Sequence, residues 1–343
     1  MINSILAAAM LFSLAPMNAQ DVTDAGGAAQ TPGLYFGRRL EPQAGRILHG
    51  AGQDPKAFAE YFKLLREHPP AIYMDYFSLE KDAAGFFKKL QKRLAKYPVY
   101  LIPQIGLGMT VGDDPEIPFE REVAIGRLDA KIQAFCDGLR ALDRPAFVRM
   151  GFEFSGEWNG YQPEPYKQAW IRIVQALRKN KLDQVATLWC YTPDSQNKHY
   201  MDYYPGDEYV DWWAIDLFGP EHFTAPDTLA FVRDAKERRF PVMITESTAR
   251  GVGVLDGARS WESWFAPYFK FMRENPQVKG FCYINWDWTK RTLRWGNGRI
   301  GVNPVVLERF RRELSRQGYL HGGSRESTNA ALGLGGRSPA GTK

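Results

Sequence analysis

A short apolar strand recurs eight times between Arg46 and Leu320, and stretches of helical periodicity stand between the strands. The strands read Arg46 to Gly52, Ala71 to Phe77, Pro98 to Ile105, a fourth opening at Phe147, Val185 to Tyr191, Val210 to Phe218, Pro241 to Glu246 and Val278 to Trp286. Helices are expected over 55–68, 79–97, 126–142, 164–179, 227–239, 261–275 and 304–317; only Pro193 to Asp207, after strand five, reads as loop and turn. Strands alternating with helices imply a parallel sheet with its helices outside. Eight such units over about 275 residues match a (β/α)8 barrel, which takes about 250. A doubly wound open sheet is the competing arrangement. It would usually carry a glycine-rich phosphate loop after its first strand, and His49-Gly-Ala-Gly-Gln-Asp54 is not GxGxxG. The expected fold is α/β, a single (β/α)8 TIM barrel over residues 46–320.

A barrel of this kind places its site at the C-terminal ends of its strands. Polar residues gather there: His49, Asp75, Gln104, Arg149, Glu153, Tyr191, Asp216, Glu246 and Asn285, with Trp286 beside them. The stretch from Phe147 to Tyr161, FVRMGFEFSGEWNGY, is the most informative. Side chains alternate along a strand, so Arg149, Gly151 and Glu153 share one face and Val148, Met150 and Phe152 the other. A loop with two glycines and the aromatics Trp158 and Tyr161 follows. A glutamate closing an apolar strand before an aromatic loop suggests an acid poised over a sugar; a salt bridge between Glu153 and Arg149 is the plainer reading. Glu246 closes strand seven, which lies across an eight-stranded barrel from strand four. Two glutamates entering one mouth from opposite sides are what glycosidic cleavage needs. No His or Cys cluster or acidic cage has metal-ligand spacing, and no GxSxG elbow is present, so neither a metal nor another cofactor is expected.

Composition narrows the partners. A net charge of +5 on 343 residues is small, and no basic stripe argues for nucleic acid. Aromatics make up 14% of the chain, with 10 Trp, many of them in expected loops; that leans towards stacking on the flat faces of sugars, although core packing explains part of it. Cys136, Cys190 and Cys282 form no CxxC pair and read as small buried hydrophobes. Ile5 to Ala15 has the length of a signal-peptide core and is too short to span a bilayer, with Ala19 before a plausible cleavage point. A signal peptide over 1–19 implies a secreted or periplasmic protein. Residues 20–45 read as a linker or extension, and 321–343, poor in aromatics and rich in Gly, Ser, Ala and Arg, as a disordered tail. A monomer is expected.

These residues carry a resemblance. The chain is similar to clan A of the glycoside hydrolases, and within it most similar to glycoside hydrolase family 26, the β-mannanase-like enzymes. Arg149 stands four before Glu153, with Ser155-Gly156-Glu157-Trp158 following; Leu188 to Ser195 (LWCYTPDS) resembles the family's Trp, Tyr and Pro after strand five. Tyr203 to Phe218 (YYPGDEYVDWWAIDLF) resembles its Tyr-Pro-Gly-Asp stretch, and ITES around Glu246 its nucleophile strand. The resemblance covers roughly Arg46 to Leu320. It implies an acid/base at Glu153, a nucleophile at Glu246 and retaining hydrolysis of a polysaccharide by an endo-type enzyme, β-mannan first, then β-glucan, xylan or a bacterial exopolysaccharide.

Two positions depart from the pattern. Phe152 stands where relatives carry His or Asn before the acid/base, and Phe218 is the nearest counterpart of a Tyr that hydrogen-bonds the nucleophile. Both changes remove polar contacts that strengthen at the transition state. They keep open a second reading, a barrel that binds carbohydrate without cutting it. Arg149, Trp158, Tyr191, Asp216, Trp286 and Trp288 are the candidate substrate-binding residues, Tyr161 a further stacking candidate, and Glu157 an alternative acid less rigidly held than Glu153.

Overall fold

A computed structural model describes residues 34–111, 117–195 and 199–334. The expected signal peptide over 1–19 lies outside them. Strands β1 (Ile47–Gly52), β2 (Ile72–Ser78), β3 (Ile102–Gly108), β4 (Ala146–Met150), β5 (Val185–Tyr191), β6 (Trp212–Leu217), β7 (Val242–Ser247) and β8 (Val278–Ile284) pair in parallel in sequence order. β1 pairs with both β8 and β2, so the sheet closes into the expected eight-stranded barrel. A two-residue strand, β9 (Tyr319–Leu320), adds to β1 from outside the ring.

Around it run α1 (Pro55–Leu64), α2 (Ala83–Leu94), the short α3 (Glu120–Ala124), α4 (Asp129–Leu142), α5 (Pro163–Lys179), α6 (Pro226–Glu237), α7 (Ala258–Ser260), α8 (Ala266–Glu274) and α9 (Pro304–Leu314). α7 and α8 are one rod, joined through a wider turn at Trp261–Phe265. The described residues after β5 form only two single turns, Tyr200–Tyr203 and Asp207–Tyr209, as the loop-like sequence there implies.

Alternation along the strands divides the apolar residues into two cores. Leu48, Met74, Phe147, Leu188, Cys190, Met243 and Cys282 fill the barrel. Tyr73, Val148, Trp189, Trp213, Ile244 and Phe281 face the helices. Each layer removes large apolar side chains from water, about 1.5–3 kcal/mol apiece.

The domain is longer than 46–320 at both ends. Leu40 and Glu41 are buried, Glu41 facing Lys279 at 3.4 Å, so residues 34–45 pack onto the barrel instead of forming a linker. The expectation of a disordered tail fails for residues 322–334. Ser324 caps a helix, α10 (Arg325–Ala331), and Leu332 is buried with Leu40 and Leu48 at the N-terminal end of the barrel interior. One leucine anchored in a ready-made apolar hole orders a segment whose composition alone would not.

A histidine cluster sits where β9 meets β1. His321 Nε2 lies 3.1 Å from the Leu314 carbonyl, which can only accept, so Nε2 carries the proton. Nδ1 of neutral His321 then accepts from His49 Nδ1 at 3.1 Å, and His49 Nε2 accepts from the Tyr61 hydroxyl at 2.7 Å. Every bond is made by neutral rings. Burial holds His49 well below the ordinary histidine range and lowers His321 to about 4. In the unfolded chain both bind protons near pH 6.5. Folding stability should therefore hold above pH 6.5 and fall between 6.5 and about 4, by at most about 1.4 kcal/mol per pH unit for each ring. Urea midpoints at pH 7, 5.5 and 4.5 would measure this, and His321→Asn should flatten the slope.

Candidate active site

The site is built on β4 and on the turn that ends it. β4 stops at Met150, and the chain enters the left-handed region at Gly151 (φ 48°) and again at Glu153 (φ 51°). Gly151 has no alternative: a Cβ there would lie 2.7 Å from both Met109 and the Tyr166 ring. For Glu153 the conformation costs about 1–2 kcal/mol. Asn159 stabilises it, its side-chain amide donating to the carbonyls of Phe152 and Glu153 at 3.0 and 3.1 Å.

This turn corrects the face assignment made from alternation. Phe152 does not join Val148 and Met150 against the helices; its ring faces the mouth, 4.3 Å from the Arg149 guanidinium carbon and edge-on to Tyr76. Gly106 of β3, paired with Arg149, leaves room for both rings, since a Cβ there would meet Tyr76 at 2.7 Å and Phe152 at 3.2 Å. Phe152 thus supplies an aromatic wall over a buried cation.

Arg149 is the hub. Its side chain is fully buried, donating to Asp216 at 2.6 Å with one arm and to Glu246 with the other. So Arg149 pairs with these two and not, as the plainer sequence reading had it, with Glu153. Asp216 and Glu246 are neighbours across β6 and β7, where an irregularity turns both Thr245 and Glu246 inward. Thr245 donates its hydroxyl to Asp216 at 2.6 Å. Burial pushes the Asp216 carboxyl up, to about 7, against the pull of Arg149.

Glu153, half-buried, accepts the Trp158 indole N–H at 2.9 Å. Burial raises its pKa well above the carboxylate range, and the charges of Asp216 and Glu246 raise it further. One guanidinium already faces two carboxylates, so a third negative charge is unfavourable and Glu153 holds a proton. The arrangement therefore sets Glu153, whose protonated form is favoured, beside Glu246, which is paired with a cation.

Trp158 is 40% exposed, with its indole folded against Gly156, where a Cβ would collide with the ring at 2.5 Å. It touches the acid itself. Trp286 and Trp288 cross edge-to-face at 4.9 Å, Trp288 packs on Trp295 at 4.6 Å, and Trp295 on Phe218 at 5.1 Å, forming one aromatic platform beside β6 to β8. Tyr161 does not stack in the mouth; it is buried, its hydroxyl oxygen accepting the Met109 backbone N–H at 3.0 Å.

Tyr191 is also a correction. Cys190 takes the inward position, so Tyr191 points out and stacks on Phe231 of α6 at 5.1 Å. Asp75 likewise faces outward to Arg93, and His49 belongs to the histidine cluster. Gln104 points inward below the site, donating to the Thr245 carbonyl at 3.2 Å. Asn285 accepts the Ile300 amide and serves the following loop. Glu157 is exposed on the turn Glu157–Asn159. Among the described residues no group of three His, Cys, Asp or Glu could hold a metal ion.

One residue was missed. Tyr76 of β2 alternates with outward Asp75 and so enters the mouth, where the Arg149 guanidinium lies 5.5 Å from its ring. Burial first, then the nearby Glu246 charge, raises its phenol well above the usual range. The residue after β6 is the apolar Phe218, so a phenol for Glu246 comes from β2 instead. Its inward-facing neighbour Met74, two residues earlier, was the available signal. Tyr76→Phe should lower kcat about tenfold with little change in KM, read from initial rates on a soluble glycan.

Glu153 and Glu246, beyond strands four and seven, thus face one C-terminal mouth around a buried arginine, and the strands close a (β/α)8 barrel. Residues 115–271 match the family model described as glycosyl hydrolase family 26. The resemblance of the chain to glycoside hydrolase family 26 therefore holds. It is 26% identical over 315 residues to a β-1,3-xylanase from Alcaligenes sp, covering 82% of this chain and 66% of the relative, just under two thirds of that protein's length. It is 26% identical over 178 residues to a mannan endo-1,4-β-mannosidase from Bacillus subtilis, covering 47% and 45%. The fold is shared with the solved structure of the Bacillus subtilis mannanase BCman, at TM-score 0.56 and 17% identity over 81% of this chain and 88% of that one. No helix among the described residues is long and apolar enough to cross a membrane.

Proposed function

We propose that the protein is a retaining, endo-acting β-glycoside hydrolase that cuts a polysaccharide outside the cytoplasm. The observation that carries this is the asymmetry of the two glutamates: Glu246 is held by Arg149, while Glu153 is kept protonated by burial and by its carboxylate neighbours. In the first step Glu246 attacks the anomeric carbon as Glu153 protonates the departing oxygen. In the second, Glu153, now ionised, takes a proton from water, which displaces Glu246 with net retention. Trp158 orients Glu153, and Arg149 with Asp216 holds Glu246 at a fixed angle. Trp286 and Trp295, both half-buried, offer faces on which sugar rings stack, and Trp288, which is buried, packs between them as support and not as a platform of its own.

An aromatic row that continues from Trp286 to Trp295 suits internal attack on a long chain. β-Mannan and β-1,3-xylan are the backbones to try first, because relatives of both activities align with this chain. The test is reducing-sugar release from β-mannan, β-1,3-xylan, β-1,4-xylan and β-glucans, with the first-formed anomer followed by proton NMR. A β-anomer product supports the mechanism; an α-anomer product sinks retention, and the absence of any product turns attention to binding without cleavage.

A further inference from the structure

The loop after β8, Trp286 to Trp295, reads WDWTKRTLRW. Its tryptophans belong to the aromatic platform, but its cations are unexplained. Lys290, Arg291 and Arg294 form no ion pair among the described residues, whereas Arg299 further along pairs with Asp287 at 3.6 Å. Three like charges within five residues repel, and beside them Leu293 is 84% exposed. Such a turn contributes nothing evident to the fold.

Arg294 and Arg250 line a cavity of about 490 Å³ together with Trp295, Glu221 and the backbone of Gly251. Their states differ. Arg250 is clamped by Asp194, with contacts at 2.6 and 2.8 Å, and by Glu221 at 3.1 Å, so its charge is balanced and its position fixed. Arg294 is exposed and unbalanced. The cavity adjoins the mouth: Trp295 forms its wall and also touches Trp288 and Phe218, which pack with the barrel interior. The Gly251 amide donates to the Trp295 carbonyl at 3.2 Å and fixes that wall to the loop after Glu246. Trp295 thus belongs both to the platform and to the cavity wall.

A hydroxyl of a neutral sugar can accept from a guanidinium, but it neither matches the two-armed fork nor balances the charge. A planar carboxylate matches the guanidinium fork in two parallel hydrogen bonds. We infer that this cavity is a subsite for a carboxylate-bearing sugar, with Arg294 binding the carboxylate and Trp295 the ring, so that the polysaccharide taken by the mouth carries uronic-acid units. The inference rests on the glycosidase reading for the nature of the chain but not for the affinity it expects.

The test compares two probes that differ only at C6: β-1,4-linked triglucuronate and cellotriose. Binding is measured by calorimetry with the full chain carrying Glu153→Gln, which stops cleavage without adding charge. Triglucuronate should bind at least about tenfold more tightly than cellotriose at low salt. The preference should disappear in the Arg294→Ala variant and shrink severalfold in 0.5 M salt. Equal binding of the two probes overturns the inference, as does a preference that survives Arg294→Ala. Acetate binding as tightly as triglucuronate would also overturn it, marking a bare anion trap. Hydrolysis of neutral glycans by the unaltered protein is scored separately, so a failed subsite and a failed glycosidase reading give different results.

Discussion

Glu246→Ala should lower kcat/KM on the best polysaccharide by on the order of 10⁴-fold or more, because the variant lacks the carboxylate that would form the glycosyl-enzyme. Glu153→Ala should cost about 10²–10⁴-fold on the same substrate, the range for loss of a general acid. The two variants separate on an aryl glycoside with an acidic phenol leaving group. That bond breaks without proton donation, so Glu153→Ala should form the glycosyl-enzyme nearly normally and stall at its hydrolysis, giving a burst. Glu246→Ala should show no burst, since nothing forms the intermediate. Equal rates for the unaltered protein and Glu246→Ala would remove the nucleophile from Glu246. Sugar binding that persists without turnover in both would favour the non-catalytic barrel.

The second large effect concerns Arg149. Arg149→Met removes the cation and leaves Asp216 and Glu246 facing each other, both buried. Breaking one side of a buried ion pair costs about 3–5 kcal/mol, so the urea midpoint should fall accordingly, together with activity. Asp216→Asn in the Arg149→Met background should recover part of the stability by removing one orphaned charge, and a double-mutant cycle would measure the coupling. Arg149→Lys should not restore activity. A single ammonium cannot hold two carboxylates with separate, fixed arms as the guanidinium does. A loss below about 1 kcal/mol in Arg149→Met would mean that the hub is not what holds the mouth together.

Both predictions start from residues that are legible in the chain. The eightfold alternation of apolar strands with helices fixes the architecture, because parallel strands need helical crossovers and eight of them close a ring. The positions of Glu153 and Glu246 at the ends of strands four and seven follow from that count alone. Arg149 and Asp216 could be read as mouth residues from strand alternation, and the structure places both there. Trp286 and Trp288 both stand beyond a strand end, but Trp288 is buried in the structure and only Trp286 keeps an exposed part.

What went astray has a common cause. A period of two says that neighbours lie on opposite faces, but not which face is the interior. In β2 the choice fell between Asp75 and Tyr76, and in β5 between Cys190 and Tyr191. Polarity at a strand end pointed to Asp75 and Tyr191; register turns both outward. At the β5 position the interior holds the Cys190 thiol against Arg149, while the space beside α6 takes the Tyr191 ring stacked on Phe231. Asp75 finds its cation on α2, which no strand pattern reveals.

The turn at Gly151 and Glu153 is the sharpest case. Alternation assumes extended backbone, and two left-handed residues reset the phase, carrying Phe152 into the mouth beside Glu153. Glycine at 151 gave a local hint; a glutamate in that conformation gave none, since it is held by Asn159 from six residues away. The sequence by itself determined the barrel, its polarity and the two carboxylates, because those depend on counts and periods along the chain. Tertiary structure decided which neighbour faces inward, which partner Arg149 takes and that Leu332 plugs the base, because each depends on space left by residues distant in sequence.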